Sequence, residues 1–182
     1  MDADKGLPAL IAFDLDYTLW DLWIDTHVTG PLKASGSPNL ILDRFGEPIF
    51  FYPDVPGILH EVHGKTTLAL CSRTSAPDLA REALRLLMIP PASTGGSNAS
   101  PTPATEFFTQ KEIYPGSKIQ HFRALHKKTG IPYSEMLFFD DESRNREVES
   151  LGVTFILVKN GTNRRVFWDG VKAWRRKVHE VN

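Results

Sequence analysis

The sequence predicts a three-layer, Rossmann-like α/β fold: a central parallel sheet with helices on both faces. Two observations predict it. Short apolar runs alternate with segments of helical period along most of the chain, the pattern of successive strand–helix units. The first run, residues 7–13, leads directly into two carboxylates, Asp14 and Asp16. Ligands of open α/β sheets bind beyond the carboxyl ends of strands, so that position is where such a fold keeps its chemistry.

The elements follow in order. Residues 7–13 read as a buried strand. Residues 17–52 are irregular and aromatic-rich, with Trp20, Trp23, Phe45, Phe50 and Phe51 among turn clusters, and predict an extended flap or hairpin too small for a lid domain. Pro56 opens a helix to about His63, and residues 66–71 form a second strand. Ser75-Ala76-Pro77 starts a helix carrying Leu79, Ala83, Leu84, Leu86 and Leu87 at helical spacing. Residues 90–105 are almost wholly Pro, Ser, Thr, Gly, Ala and Asn, which predicts a flexible surface insertion. Beyond it come a helix over 118–129, a strand over 136–139, a helix over 145–151, a strand over 153–158 and an amphipathic helix over 163–180. In that last helix Val166, Phe167, Val171, Trp174 and Val178 face inward.

Composition narrows the functional classes. A chain of 182 residues suits a single domain, and a formal net charge of −1 supplies no field for nucleic acid or an anionic membrane. The one cysteine, Cys71, excludes an intramolecular disulfide and points to a reducing, cytoplasmic setting. Residues 1–6 lack the features of a signal peptide, and no apolar run reaches the length of a membrane span. The expected state is a monomer.

The strand ends hold the candidate site. Residues two apart on a strand share a side, so Asp14 and Asp16 place two carboxylates together. Adjacent like charges are costly without a cation, and Mg²⁺ prefers oxygen ligands. The second strand ends in Cys71-Ser72-Arg73-Thr74, where a hydroxyl and backbone N–H groups suit phosphate oxygens. Lys118 stands at a helix start, where the dipole disfavours a cation and an anion is wanted. Asp140-Asp141-Glu142 follows another buried strand and can complete a metal site with the first pair.

These segments, in this order, resemble the haloacid dehalogenase superfamily of phosphotransferases, and more closely the magnesium-dependent phosphatase-1 family. The likeness lies in Phe13-Asp14-Leu15-Asp16-Tyr17-Thr18-Leu19-Trp20, Asp25-Thr26-His27, Ser72-Arg73-Thr74-Ser75, Ile113-Tyr114-Pro115-Gly116-Ser117-Lys118 and Phe138-Phe139-Asp140-Asp141-Glu142. It implies a Mg²⁺-dependent phosphatase with a minimal cap, in which Asp14 is the nucleophile and Asp16 the general acid/base. Leu15, Asp16, Ser72, Arg73 and Lys118 would hold the phosphoryl group. Asp14, Asp16 and Asp141 would ligate Mg²⁺, Asp141 being favoured over Asp140, with Asn145 supporting. The family is linked to phosphotyrosine in proteins and to fructosamine phosphates, so a phosphopeptide or a phosphorylated small molecule is the implied substrate. Residues 90–105 run longer than the family pattern.

Rival readings leave fewer marks. A catalytically quiet binding module on this fold conflicts with intact Asp14, Asp16, Lys118 and Asp141. A protein phosphatase resembling the RNA polymerase tail phosphatases shares the Asp14-Leu15-Asp16 motif and stays open. A cysteine phosphatase needs an arginine six residues after the cysteine, where Pro77 stands. A nucleotide P-loop needs a glycine at Lys111. His60-Glu61-Val62-His63 is one residue short of a zinc-protease motif. The aromatics Trp20 and Trp23 are core or substrate entrance, and His27 is a poor ligand for a hard cation.

Overall fold

The computed structural model describes residues 6–92 and 99–180. Its chain order is β1 (Leu10–Phe13), α1 (Ile24–His27), β2 (Lys33–Ala34), β3 (Ile41–Leu42), β4 (Pro48–Ile49), α2 (Val55–Val62), β5 (Thr67–Ser72), α3 (Pro77–Leu86), β6 (Met88–Ile89), β7 (Thr102–Pro103), β8 (Gln110–Ile113), α4 (Lys118–Thr129), β9 (Met136–Asp140), β10 (Thr154–Leu157) and α5 (Arg164–Glu180). The central sheet has five parallel strands in the order β10-β9-β1-β5-β8. The chain builds from β1 through β5 to β8, then α4 carries it back across β1 to β9 and β10. β1 is therefore the topological switch point, and its carboxyl end carries Asp14.

Alternation along the strands separates two cores. Ile11, Phe13, Leu68, Leu70, Leu137 and Phe139 point to one face, beneath α2, α3 and α5. Leu10, Ala12, Ala69, Cys71, Met136 and Phe138 point to the other, beneath Phe122 and Leu125 of α4 and Val148 of a 3₁₀ segment, Ser143–Leu151. On the first face Phe13, Phe139 and Phe167 stack at centroid spacings of 5.2 and 5.6 Å. Gly170 lets α5 approach this stack, since a Cβ there would lie 2.7 Å from the Phe139 ring. Asn163 accepts from Val166 N at 2.9 Å and starts α5, and Gly130, at φ 71°, ends α4.

Four sequence expectations change. The stretch 17–52 is more than a hairpin: it forms α1 and a three-stranded antiparallel sheet, β2-β3-β4. Its inner residues Leu32, Ile41, Ile49 and Phe51 are buried in the main core. A buried carboxylate, Asp43, accepts from Phe45 N, Glu47 N and Thr29 N at 2.8–3.1 Å and ties the β3–β4 turn. β8 has no counterpart in the sequence reading, because Gln110-Lys111-Glu112-Ile113 is mostly polar, as an edge strand can be. The helix expected over 145–151 is 3₁₀. Finally, part of the stretch 90–105 is built in: β7 pairs with β6, Ala104 N donates to Leu87 O at 2.8 Å, and Ala104 is buried. A small apolar anchor, Ala104 with Phe107 and Phe108, fixes the end of a segment whose composition otherwise suggests none. Residues 93–98 of that stretch, and residues 1–5 of the N-terminus, lie outside the described residues. Among the described residues no helix is long and apolar enough to cross a membrane.

Candidate active site

A cavity of about 230 Å³ opens at the carboxyl ends of β1, β5 and β9, and Asp14, Asp16, Ser72, Arg73, Lys118, Asp141 and Asn145 line it. The sequence-predicted residues thus meet at one place. Leu15 is the exception in kind: its side chain is buried in the core, so only its backbone can serve.

Asp14 is held from a strand, β9, and from the start of a helix, α4. Its N–H donates to Phe139 O at 2.9 Å, and its Oδ1 accepts from Lys118 Nζ at 2.8 Å. Burial drives the Asp14 carboxyl upward against the pull of Lys118, with Asp140 adding to the rise. Lys118 is only 1% exposed. It donates to the Cys71 carbonyl as well as to Asp14, and lies 3.2 Å from Asp140 Oδ2. Burial alone would lower the ammonium's pKa, but Asp14 and Asp140 outweigh it and hold the group above its ordinary value. The dipole argument for an anion near Lys118 is met by two carboxylates.

Asp16 is fixed through one oxygen. Oδ1 accepts from Trp20 Nε1 at 2.8 Å and from Ile24 N at 3.1 Å, while Oδ2 has no hydrogen-bond partner among the described residues. Burial pushes its carboxyl up to about 6, against the lowering effect of those two donors. Trp20 is therefore a buried support stacked on Phe51, whereas Trp23 is half exposed and lines the cavity mouth. His27 stacks on Trp23, and its Nδ1 accepts from the Trp23 backbone N–H.

The two acids after β9 differ. Asp140 is fully buried and saturated: Oδ1 accepts from Glu142 N at 2.7 Å, and Oδ2 from Asn145 Nδ2 at 2.9 Å beside Lys118. Asp141 faces the cavity with no hydrogen-bond partner from another residue among the described residues, and its carboxyl is pushed up to about 6 by burial and then by Asp140 and Glu142. Asn145 supports Asp140 directly, and its Oδ1 accepts from Arg73 Nη1 at 3.0 Å. It thereby links the arginine to the acid pair, a role the four-residue spacing from Asp141 does not disclose.

Carboxylate oxygens of Asp14, Asp140 and Asp141 lie within 4.8 Å of one another. An all-oxygen set carrying excess negative charge fits a hard divalent cation such as Mg²⁺. In the same cavity lining Ser72 Oγ accepts from Thr74 N at 3.3 Å, and Thr74 Oγ1 from Ala76 N at 3.1 Å, shaping the loop into α3. Asp25, Thr26, Thr74 and Glu142 also line the cavity, all within the segments that carry the family resemblance but given no individual role there, and so does Arg144, which lies outside those segments.

A family model described as Acid Phosphatase matches residues 6–177. A HAD-like hydrolase superfamily protein of Schizosaccharomyces pombe is 52% identical over 160 residues, covering 86% of this chain and 90% of that protein. Human Magnesium-dependent phosphatase 1 is 41% identical over 172 residues, covering 93% and 89%. A crystal structure of a haloacid dehalogenase-like hydrolase from Xanthomonas campestris superposes with a TM-score of 0.58 at 9% identity, over 93% of this chain and 99% of that one, a likeness of fold. The chain belongs to the acid phosphatase family, as a phosphatase of the magnesium-dependent phosphatase-1 group within the haloacid dehalogenase superfamily.

Proposed function

We propose that this protein is a Mg²⁺-dependent phosphomonoester hydrolase that works through an aspartyl phosphate on Asp14. One observation carries the reading: Asp14, locked to Lys118 at 2.8 Å, shares its cavity with Asp16, whose proton-exchanging oxygen is free. Asp14 attacks phosphorus and the bond to the alcohol oxygen breaks. Asp16, with a carboxyl raised to about 6, gives that oxygen its proton and then takes one from the water whose oxygen attacks phosphorus, which breaks the bond to Asp14 and releases inorganic phosphate. Ser72, Arg73, Lys118 and the backbone of Leu15 and Asp16 hold the phosphoryl oxygens. The carboxylates of Asp14 and Asp141 and the backbone carbonyl of Asp16 would hold the cation, the Asp16 side chain lying outside the acidic cluster and Asp140 being occupied by Lys118, Asn145 and Glu142 N. Mg²⁺, when bound, offsets the negative charge that phosphate and carboxylates bring together.

The substrates we assign are phosphotyrosine and other aryl phosphates, together with phosphosugar adducts such as fructosamine phosphates. Support comes from the half-exposed Trp23 at the cavity mouth and from the small size of the 17–52 segment, which leaves room for a bulky alcohol. We read the protein as a cytoplasmic monomer of one catalytic domain. Its sole cysteine, Cys71, is a buried free thiol whose pKa burial raises, so it is chemically quiet. The test is phosphate release from p-nitrophenyl phosphate, a phosphotyrosine peptide and a fructosamine phosphate, each with Mg²⁺ and with EDTA. Release in Mg²⁺ that EDTA abolishes is expected. No release from any of them would leave a binding module as the better reading.

A further inference from the structure

The one-turn helix α1 is fastened to the site at two points, and the second has no part in the chemistry above. The first is Ile24 N on Asp16. The second is Asp25: its Oδ2 accepts from Ser75 N at 3.2 Å and from Ser75 Oγ at 2.9 Å, and its Oδ1 accepts from Thr26 Oγ1 at 3.1 Å. Ser75 lies on the loop from Ser72 to α3. That loop is otherwise braced from within, by Ser72 on Thr74 and Thr74 on Ala76. The Ser75 N–H is taken instead by a carboxylate 50 residues away in the chain. Burial by itself would raise the Asp25 carboxyl, yet the donors from Ser75, Thr26 and its own backbone together outweigh it and hold it below the usual range. The flanking residues Trp23 and Thr26 line the cavity mouth, where Trp23 meets the Tyr17 ring edge-on at 5.3 Å.

We propose that Asp25 is a positioning residue: through Ser75 it clamps α1 to the phosphate-side loop and so fixes Trp23 and Thr26 as the rim past which the alcohol part of the substrate must lie. The proposal rests on the phosphatase reading above and adds the residue that sets its selectivity. A fixed rim favours an alcohol large enough to touch Trp23 and is indifferent to one that is not.

The experiment compares Asp25→Ala, Ser75→Ala, the double variant and Ser75→Thr, with a phosphotyrosine peptide and with acetyl phosphate as substrates. For the peptide, KM should rise about tenfold in each single variant and no further in the double, because the two residues act as one unit. Its kcat should stay within about threefold, and KM for acetyl phosphate within about twofold. Ser75→Thr, which keeps the hydroxyl, should behave as wild type. Backbone amides of α1 should exchange faster with solvent in Asp25→Ala and Ser75→Ala without any substrate present. Equal losses on both substrates, additive losses in the double variant, or unchanged exchange in α1 would overturn the clamp. If the wild-type protein cleaved neither substrate, the phosphatase reading would fall, and α1 exchange alone would decide whether the clamp exists.

Discussion

Lys118 Nζ donates to Asp14 Oδ1 across 2.8 Å, from a side chain only 1% exposed. Asp140 stands on its other side, so one ammonium offsets two enclosed carboxylates. Replacing Lys118 by Met should therefore cost both activity and stability. Breaking a buried ion pair from one side typically costs about 3–5 kcal/mol. Turnover should fall at least about a hundredfold, the usual effect of losing a donor to the reacting group. Lys118→Arg should not restore either property, because a planar guanidinium does not fit the space of a buried ammonium. Thermal unfolding and phosphate release, measured on both variants, check this.

Asp140 and Asp141 should separate cleanly. Asp141→Asn should weaken Mg²⁺ binding by at least about tenfold while leaving stability without Mg²⁺ unchanged or slightly raised, since it removes a carboxyl that burial disfavours. Asp140→Asn should destabilise the fold, as its oxygens serve Lys118, Asn145 and Glu142 N. Calorimetric Mg²⁺ titration beside urea unfolding distinguishes the two. Equal loss of Mg²⁺ affinity in both variants would contradict the assignment.

His121 predicts a pH dependence of stability. Its ring is buried, its Nε2 lies 3.0 Å from Tyr114 O, and its Nδ1 has no hydrogen-bond partner among the described residues. Burial, then Lys118, lowers its pKa to about 4. The unfolded imidazole titrates near 6.5. Between those values the unfolded chain binds a proton that the folded protein refuses, so stability is full above about pH 6.5 and falls as pH drops toward 4. At most about 3 kcal/mol is at stake. His121→Gln, which keeps a donor for Tyr114 O, should flatten that part of the profile. Urea unfolding of both proteins from pH 7.5 to 4.5 measures the difference, and identical slopes would refute it.

Deleting residues 91–104 should destabilise the protein. The deletion removes β7 and the buried Ala104, which pair with β6 and with Leu87 O. Composition alone argues the opposite, because loop length itself costs little. A deletion variant with wild-type melting temperature would restore the simpler view.

That case shows where the sequence is legible. Continuous apolar runs marked β1, β5, β9 and β10, since both faces of those strands are buried. Acidic, hydroxyl and basic residues placed at the ends of those runs marked the candidate site. β8 escaped because an edge strand needs little apolar content, and β7 because its anchor is a few residues long. The choice between Trp20 and Trp23 escaped because spacing cannot say which indole turns inward to donate to Asp16. Asn145 escaped in part, since its bond to Asp140 depends on a 3₁₀ turn where a helix was expected.

The most direct test of the account is turnover by Asp14→Asn. An amide cannot attack phosphorus, and the substitution keeps the size of a side chain that is 11% exposed, so the fold should persist. Phosphate release from p-nitrophenyl phosphate in saturating Mg²⁺ should become undetectable beside wild type, in a protein with an unchanged circular dichroism spectrum. Retention of more than about a tenth of wild-type kcat, a change of under about 1.4 kcal/mol in the barrier, would show that Asp14 is not the nucleophile.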